Sequence, residues 1–274
     1  MGVCGEQADN TQEATKIPHT AHERGEGGGR EREQDPHLLV NDAQAIVDHL
    51  LQTGDEHCGK GGRRGEGGER VVDIVLDNSG IELLCDLVLA DTLLSFGLAA
   101  RVRLHAKGEP LFLSDAMPKD ISGHLSRMES AEEGAQQAFA GRVRAHLRRG
   151  TLLVCSHQFW TAPRLFWEMP VSLADDLAGS TLVIVKGDAN YRRLIGDRQW
   201  ESTIKLAQVV TPWFPSHLAA LRTLKAEVAV GLPEGLAEQT AAVDANWMTS
   251  GKFGSIQFVP FREANTNDDD FRIK

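Results

Sequence analysis

The sequence predicts an α/β fold, a three-layer α/β/α sandwich around a mostly parallel sheet that carries one antiparallel strand. Three observations predict it. Val71–Leu76, Thr151–Cys155 and Thr181–Val185 are short apolar runs of the kind that form strands buried on both faces. Segments with helical apolar spacing, most clearly Ile81–Phe96 and Ala135–Leu147, lie between such runs. Finally, acids and amides follow the predicted strands directly, and that rim is where open α/β sheets bind ligands.

The elements follow in chain order. Residues 1–35 are polar, glycine-rich and charged, so they are expected to be a disordered tail ahead of a domain over 36–262. Asp42–Gln52 can form a helix with Ile46, Val47, Leu50 and Leu51 on one face, too short to stand without docking on the domain. Residues 59–70 (GKGGRRGEGGER) read as a flexible insertion. Val71–Leu76 is the organising strand, and Asp77-Asn78-Ser79-Gly80 turns the chain into Ile81–Phe96, apolar enough all round to be a buried helix. Ala99–Ala106 alternates as a strand does, Leu111–Leu113 is a brief apolar run, and Ile121–Met128 and Ala135–Leu147 are helical. After the strand Thr151–Cys155 comes an aromatic, irregular stretch over Gln158–Met169, then the strand Thr181–Val185. Glu227–Leu232 is expected to be the last core strand, and 263–274 a polar, frayed tail.

Of the 274 residues, 41% are hydrophobic and 25% charged, which places the chain among soluble globular proteins. A net charge of −10 and a pI near 5.5 argue against nonspecific binding to nucleic acid or to an anionic membrane. The four cysteines have no paired metal-ligand spacing, and Cys85 and Cys155 read as small core residues. Asp86 and Asp91 interrupt the longest apolar run, so no bilayer span is expected, and the opening residues lack the apolar core of a secretory signal. The start Met1-Gly2-Val3-Cys4 lacks the Ser or Thr that an acylation signal carries at position 6. The expectation is a reducing, cytoplasmic compartment.

Three clusters could carry chemistry: Asp77-Asn78, Asp115, and Asp188-Ala189-Asn190. If their strands are parallel they meet on one rim, where oxygen ligands without His or Cys suit a hard divalent cation. Each acid could instead cap the next helix. Ser79 and Glu82 fit a capping box, yet Glu82 lies one turn from Asp77 and could touch whatever binds there. Tyr191 and Arg192 follow Asn190 at a helix start suited to phosphate, or form a solvated basic turn. Arg222-Thr223-Leu224-Lys225 precedes the strand expected at Glu227–Leu232, so Lys225 reaches the rim only if that strand runs antiparallel; otherwise it is a surface lysine. His157 has no matching acid or nucleophile and reads as structural. Neither a G-x-G-x-x-G turn nor a P-loop is present, which counts against NAD use and ATP hydrolysis and removes the usual signal for S-adenosylmethionine.

DNSGIEL, LFLSD, FWTAP, KGDANYRRLIGD, LRTLK and GKFGSIQF, in this order, resemble the damage-control phosphatase family once called domain of unknown function 89, in its Arg-Thr-x-Lys subgroup. The resemblance runs from about Pro36 to Phe261. It implies a divalent-metal-dependent phosphatase of small phosphorylated metabolites, sugar phosphates such as fructose 1-phosphate among them, using Mn²⁺, Ni²⁺, Co²⁺ or Mg²⁺. It implies Asp77, Asn78 and Asp115 as metal ligands and catalytic residues, with Glu82, Asp188, Ala189, Asn190, Tyr191, Arg192 and Lys225 against the substrate. The subgroup is also described as an acidic-residue methyltransferase, so S-adenosylmethionine-dependent methylation of protein glutamates is the alternative activity. Its members carry a helical region before the first strand that a short glycine-rich tail largely replaces here. That departure implies a truncated chain with an exposed pocket, weakened in activity or inactive. The oligomeric state is left open.

Overall fold

The computed structural model describes residues 35–55 and 69–261. Residues 1–34 of the first tail, the tail 263–274, all of the 59–70 insertion but its last two residues, Cys4 and Cys58 lie outside them. In chain order the elements are β1 (Leu38–Asn41), α1 (Ala43–Asp55), β2 (Val71–Val75), α2 (Ile81–Ser95), β3 (Arg101–Ala106), α3 (Pro118–Glu129), α4 (Gly134–Arg149) and β4 (Leu152–Ser156). There follow α5 (Gln158–Thr161), a 3₁₀ turn (Phe166–Glu168), α6 (Val171–Ala178), β5 (Leu182–Lys186), α7 (Asp188–Ile195), α8 (Leu206–Val210), β6 (Leu218–Thr223), α9 (Leu236–Val243) and β7 (Gly254–Val259).

The strands form one seven-stranded sheet in the order β1-β7-β6-β5-β2-β3-β4, parallel except where β6 meets β7. Alternation along β2 sends Val72, Ile74 and Leu76 to a core with α2, α3 and α4. Val75 points the other way, to a core with α6, α7 and α8. The three-layer α/β/α architecture is therefore present. From β2 the chain winds outward through β3 and β4, then returns across β2 to β5 and β6. The gap between the ends of β2 and β5 is thus the switch point of the sheet, the crevice where such folds take ligands.

Asp73 faces the second core with no exposure and is held by several donors. Arg103 Nε and Nη2 donate to its two oxygens at 2.6 and 2.7 Å, His105 lies at 2.6 Å, and the Ser180 hydroxyl donates as well. Trp160 Nε1, which can only donate, sits 3.2 Å from His105 Nδ1. His105 Nδ1 therefore accepts from Trp160, which leaves Nε2 as the nitrogen that donates to Asp73. Burial alone would raise the Asp73 pKa, but the His105 and Arg103 hydrogen bonds hold it below the usual carboxylate value.

Four local expectations are corrected. Glu227–Leu232 is not a strand; the strands of that region are β6 and β7, and Arg222 pins the intervening loop by donating to Ala226 O and Val228 O. The antiparallel pairing accordingly belongs to β7. Leu111–Leu113 forms an exposed turn. The α2 helix is buried along Leu83, Leu87, Ala90 and Leu93 but presents Ile81, Cys85 and Val88 to solvent, so Cys85 is no core residue. Cys155 is half-buried. His157 is structural: it caps α5 by accepting from Phe159 N.

Candidate active site at the sheet switch point

Asp77 leaves the end of β2 as the chain turns towards α2, and the turn holding Asp115 lies alongside it. Ser79 N donates to Ser114 O at 2.7 Å and Ala116 N to Asp77 O at 2.9 Å, so backbone bonds hold the two loops side by side. An isolated bridge pairs Asn78 with Asp115. This register, rather than the strand expected before it, brings Asp115 to the rim.

The side chains form an alternating chain of charge. Lys107, which directly follows β3, is 3% exposed and donates from Nζ to Asp115 Oδ1 at 2.5 Å; Asp77 Oδ1 is 3.8 Å away. The second Asp115 oxygen accepts from Leu111 N and Phe112 N, both at 2.7 Å. Asn78 Nδ2 donates to Asp77 Oδ2 at 2.8 Å and to Glu82 Oε2 at 3.0 Å, while its carbonyl accepts from Ser114 Oγ at 2.6 Å. Lys186 then bridges Glu82 at 3.3 Å and Asp86 at 2.7 Å. Glu82 therefore belongs to the site. It completes no capping box with Ser79, because Gly80 is the N-cap of α2 and no side chain caps it.

Asp188 opens α7 behind the N-cap Gly187. Its Oδ1 accepts from Arg222 Nε at 2.7 Å and from Lys225 N at 3.1 Å, so the Arg-Thr-x-Lys segment is anchored to α7. Lys225 follows the parallel strand β6 and so reaches the rim without the antiparallel strand that sequence spacing called for. Its side chain is exposed, and its charge lowers the pKa of Asp77. Asn190 is buried and donates to Leu76 O and Lys186 O, tying α7 to the ends of β2 and β5. Ala189 is half-buried in the first turn.

Two candidates are not brought to the cluster. The Tyr191 hydroxyl points into the core, where it donates to Gln257 Oε1 at 2.9 Å, and Arg222 stacks 4.4 Å from its ring. Arg192 is exposed and paired with Asp197 at 2.7 Å. Conversely, sequence reasoning assigned no role to Lys107 or Lys186. The signal was present, since each lysine closes a strand whose next turn carries a site acid, but a lysine at a strand end ordinarily reads as solvated.

Burial and the charges of Glu82 and Asp115 raise the Asp77 pKa to about 6, against the pull of Lys107 and Lys225. A carboxyl raised on folding from 3.8 to about 6 favours the folded state below pH 4, and that contribution is lost as pH climbs to about 6. In metal-free buffer at pH 7.5, Asp77→Asn is expected to stabilise the protein by up to about 3 kcal/mol, at about 1.4 kcal/mol per pKa unit. The gain should vanish near pH 4. Paired thermal melts at the two pH values check this, and an Asn variant that melts lower at pH 7.5 would contradict it.

Among the described residues no three His, Cys, Asp or Glu side chains group as a metal centre. The cluster instead offers two carboxylates and one carboxamide. Those hard oxygen donors fit a cation such as Mg²⁺ or Mn²⁺. A cation already rests on the two carboxylates, since Lys107 Nζ lies 2.5 Å from Asp115 Oδ1 and 3.8 Å from Asp77 Oδ1, while the Asn78 oxygen accepts from Ser114 Oγ.

The buried Asp77 and the half-buried Asn78 thus stand at the switch point of a mostly parallel sheet, the crevice where α/β folds of this class take ligands. The profile of the "Damage-control phosphatase ARMT1-like domain" matches residues 4–240, and the chain belongs to that family. It is 40% identical over 225 residues to a Xenopus laevis protein named "Damage-control phosphatase ARMT1", covering 81% of this chain and 50% of that one. It is 39% identical over 230 residues to the Danio rerio protein of the same name, covering 82% and 50%. The chain thus spans about half the length of the curated relatives it matches. A crystal structure of a DUF89 family protein from Pyrococcus horikoshii aligns over 71% of this chain and 51% of that one, at 15% identity and a TM-score of 0.40. No helix among the described residues is long and apolar enough to cross a membrane.

Proposed function

We propose that the chain is a divalent-metal-dependent phosphatase of small phosphorylated metabolites, with sugar phosphates of the fructose 1-phosphate type as its substrate class. The observation that carries this reading is the approach of Asp77 and Asp115, from two different loops, to one lysine ammonium, with Asn78 hydrogen-bonded to Asp77 beside them. Asp77, Asn78 and Asp115 would hold the ion. When bound, that ion supplies charge neutralisation and polarisation of a phosphate oxygen. Lys225, exposed and fixed through its own backbone N–H, would bind the phosphoryl group. The positive end of α7, opened by Asp188 and Ala189, faces the same crevice and adds amide dipoles suited to an anion. Glu82, held by Asn78 and Lys186, orients the Asn78 amide. Asn190 acts by fixing the turn rather than by touching substrate.

The alternative, carboxyl methyl transfer from S-adenosylmethionine, has no observation in its favour. The turn after β2 is Asp77-Asn78-Ser79-Gly80, with one glycine in place of a glycine-rich G-x-G-x-x-G turn.

A phosphate-release screen over sugar phosphates and an aryl phosphate, with Mn²⁺, Co²⁺, Ni²⁺ or Mg²⁺, tests the proposal. Wild-type protein should release phosphate only with metal, and Asp77→Ala should lose about a hundredfold or more, because a bound ion contributes several kcal/mol to such transition states. Release undiminished in the variant would overturn the assignment.

A further inference from the structure

Lys107 stands apart from the other basic residues of the rim. Lys225 is exposed, whereas Lys107 is 3% exposed and, among the described residues, its ammonium has only carboxylate partners, Asp115 Oδ1 at 2.5 Å and Asp77 Oδ1 at 3.8 Å. A buried ammonium persists only when it is paired, and a buried pair of carboxylates likewise needs a cation between them. Each group therefore supports the other, and with Lys107 present the two acids can be held in place without any metal.

The same contact has a second consequence. The other oxygen of Asp115 is already committed to the Leu111 and Phe112 amides. Asp115 Oδ1 is thus the oxygen left to face the crevice, and Lys107 occupies it.

We infer that Lys107 is an internal counter-ion that preassembles the Asp77–Asp115 pair and competes with the divalent cation for Asp115 Oδ1. The inference rests on the reading of Asp77, Asn78 and Asp115 as the ligand set. Its chemistry is that of exchange: a divalent ion gains the Asp115 oxygen as the ammonium gives it up, and no covalent bond changes. A lysine in this role sets the affinity of the site lower than the bare carboxylates would, so that loading depends on the metal concentration around the protein.

The test is calorimetric titration of the full chain with MnCl₂, alongside thermal melts in EDTA and in Mn²⁺. Lys107→Met keeps the stem and removes the charge. It is expected to bind Mn²⁺ tighter by on the order of tenfold, the scale of removing one unit charge near the ion at a partly screened site. It should also melt lower than wild type in EDTA and recover more when Mn²⁺ is added. Lys107→Gln, which keeps a donor for Asp115 without the charge, should bind tighter too and serves if the Met variant does not fold without metal. Mn²⁺ binding by wild type that Asp115→Asn removes, with neither Lys107 variant binding tighter, would overturn the inference and leave the ligand set standing. Absence of Mn²⁺ binding by wild type would overturn both.

Discussion

Asp73→Ala is expected to cost the fold about 3–5 kcal/mol, the range for removing one partner of a buried ion pair. The loss does not come from the aspartate itself. Its removal leaves the half-buried Arg103 guanidinium and the buried His105 Nε2–H without the acceptor that each now meets at 2.6 Å. The Ser180 hydroxyl, beside the start of β5, loses its acceptor as well. The network joins β2, β3 and the segment before β5, so its failure is expected to lower the cooperative unfolding midpoint rather than to fray one element. Urea denaturation followed by tryptophan fluorescence measures it, because Trp160 donates to the same His105. A loss under about 1 kcal/mol, the worth of an ordinary hydrogen bond, would contradict the account. The low pKa of Asp73 adds a pH signature. A carboxyl depressed on folding contributes stability that is present above its unfolded value of 3.8 and lost as pH falls below it.

Gly187→Ala carries the second large effect. Gly187 has φ +86°, and a Cβ there would lie 1.9 Å from Asp77 Oδ2, 2.2 Å from Cγ and 2.5 Å from Cβ. Rotating the Asp77 side chain cannot relieve the last of these. The main chain cannot slide away either, because Gly187 N donates to Leu221 O on β6 at 2.8 Å. Left-handed backbone costs an L-residue roughly 1–2 kcal/mol, and overpacking typically adds 1–3, so a total of about 3 kcal/mol or more is expected. Gly80→Ala is the matched control. Gly80 has φ +75° but nothing within 4 Å of its would-be Cβ, so it should show the backbone cost alone. Gly187→Ala should also abolish the rise in melting temperature that Mn²⁺ gives wild type, whereas Gly80→Ala keeps it. Equal behaviour of the two variants would show that crowding of Asp77 does not matter.

The parts of the fold legible in the sequence were those written in apolar runs. Val71–Val75 and Leu182–Lys186 are strands because Val, Ile and Leu fill both of their faces, and the turns after them carry the acids that face the crevice. β6 was not legible, because LAALRT has the alanine and leucine content of a helix and becomes a strand only between β5 and β7. Val228 and Val230 gave 227–232 the look of a strand, whereas those residues fill the second core from a loop pinned by Arg222. At the candidate site, Asp77, Asn78 and Asp115 were singled out from residue type and position, and Glu82 with a capping box as its alternative; the structure sets these residues side by side. Tyr191 and Arg192 share their stretch with Asn190, but successive residues of a helix point in different directions, and only coordinates assign each to core, rim or solvent. Lys107 was missed for the opposite reason, since nothing local marks a lysine as buried; its burial comes from a loop eight residues on that folds over it.

The most direct measurement is a crystal structure from protein loaded with Mn²⁺, with anomalous diffraction recorded at the manganese edge. The account predicts a single strong anomalous peak within bonding distance of side-chain oxygens of Asp77, Asn78 and Asp115, with Lys107 Nζ withdrawn from Asp115 Oδ1. A peak elsewhere, or none in protein that binds Mn²⁺ in solution, would contradict it.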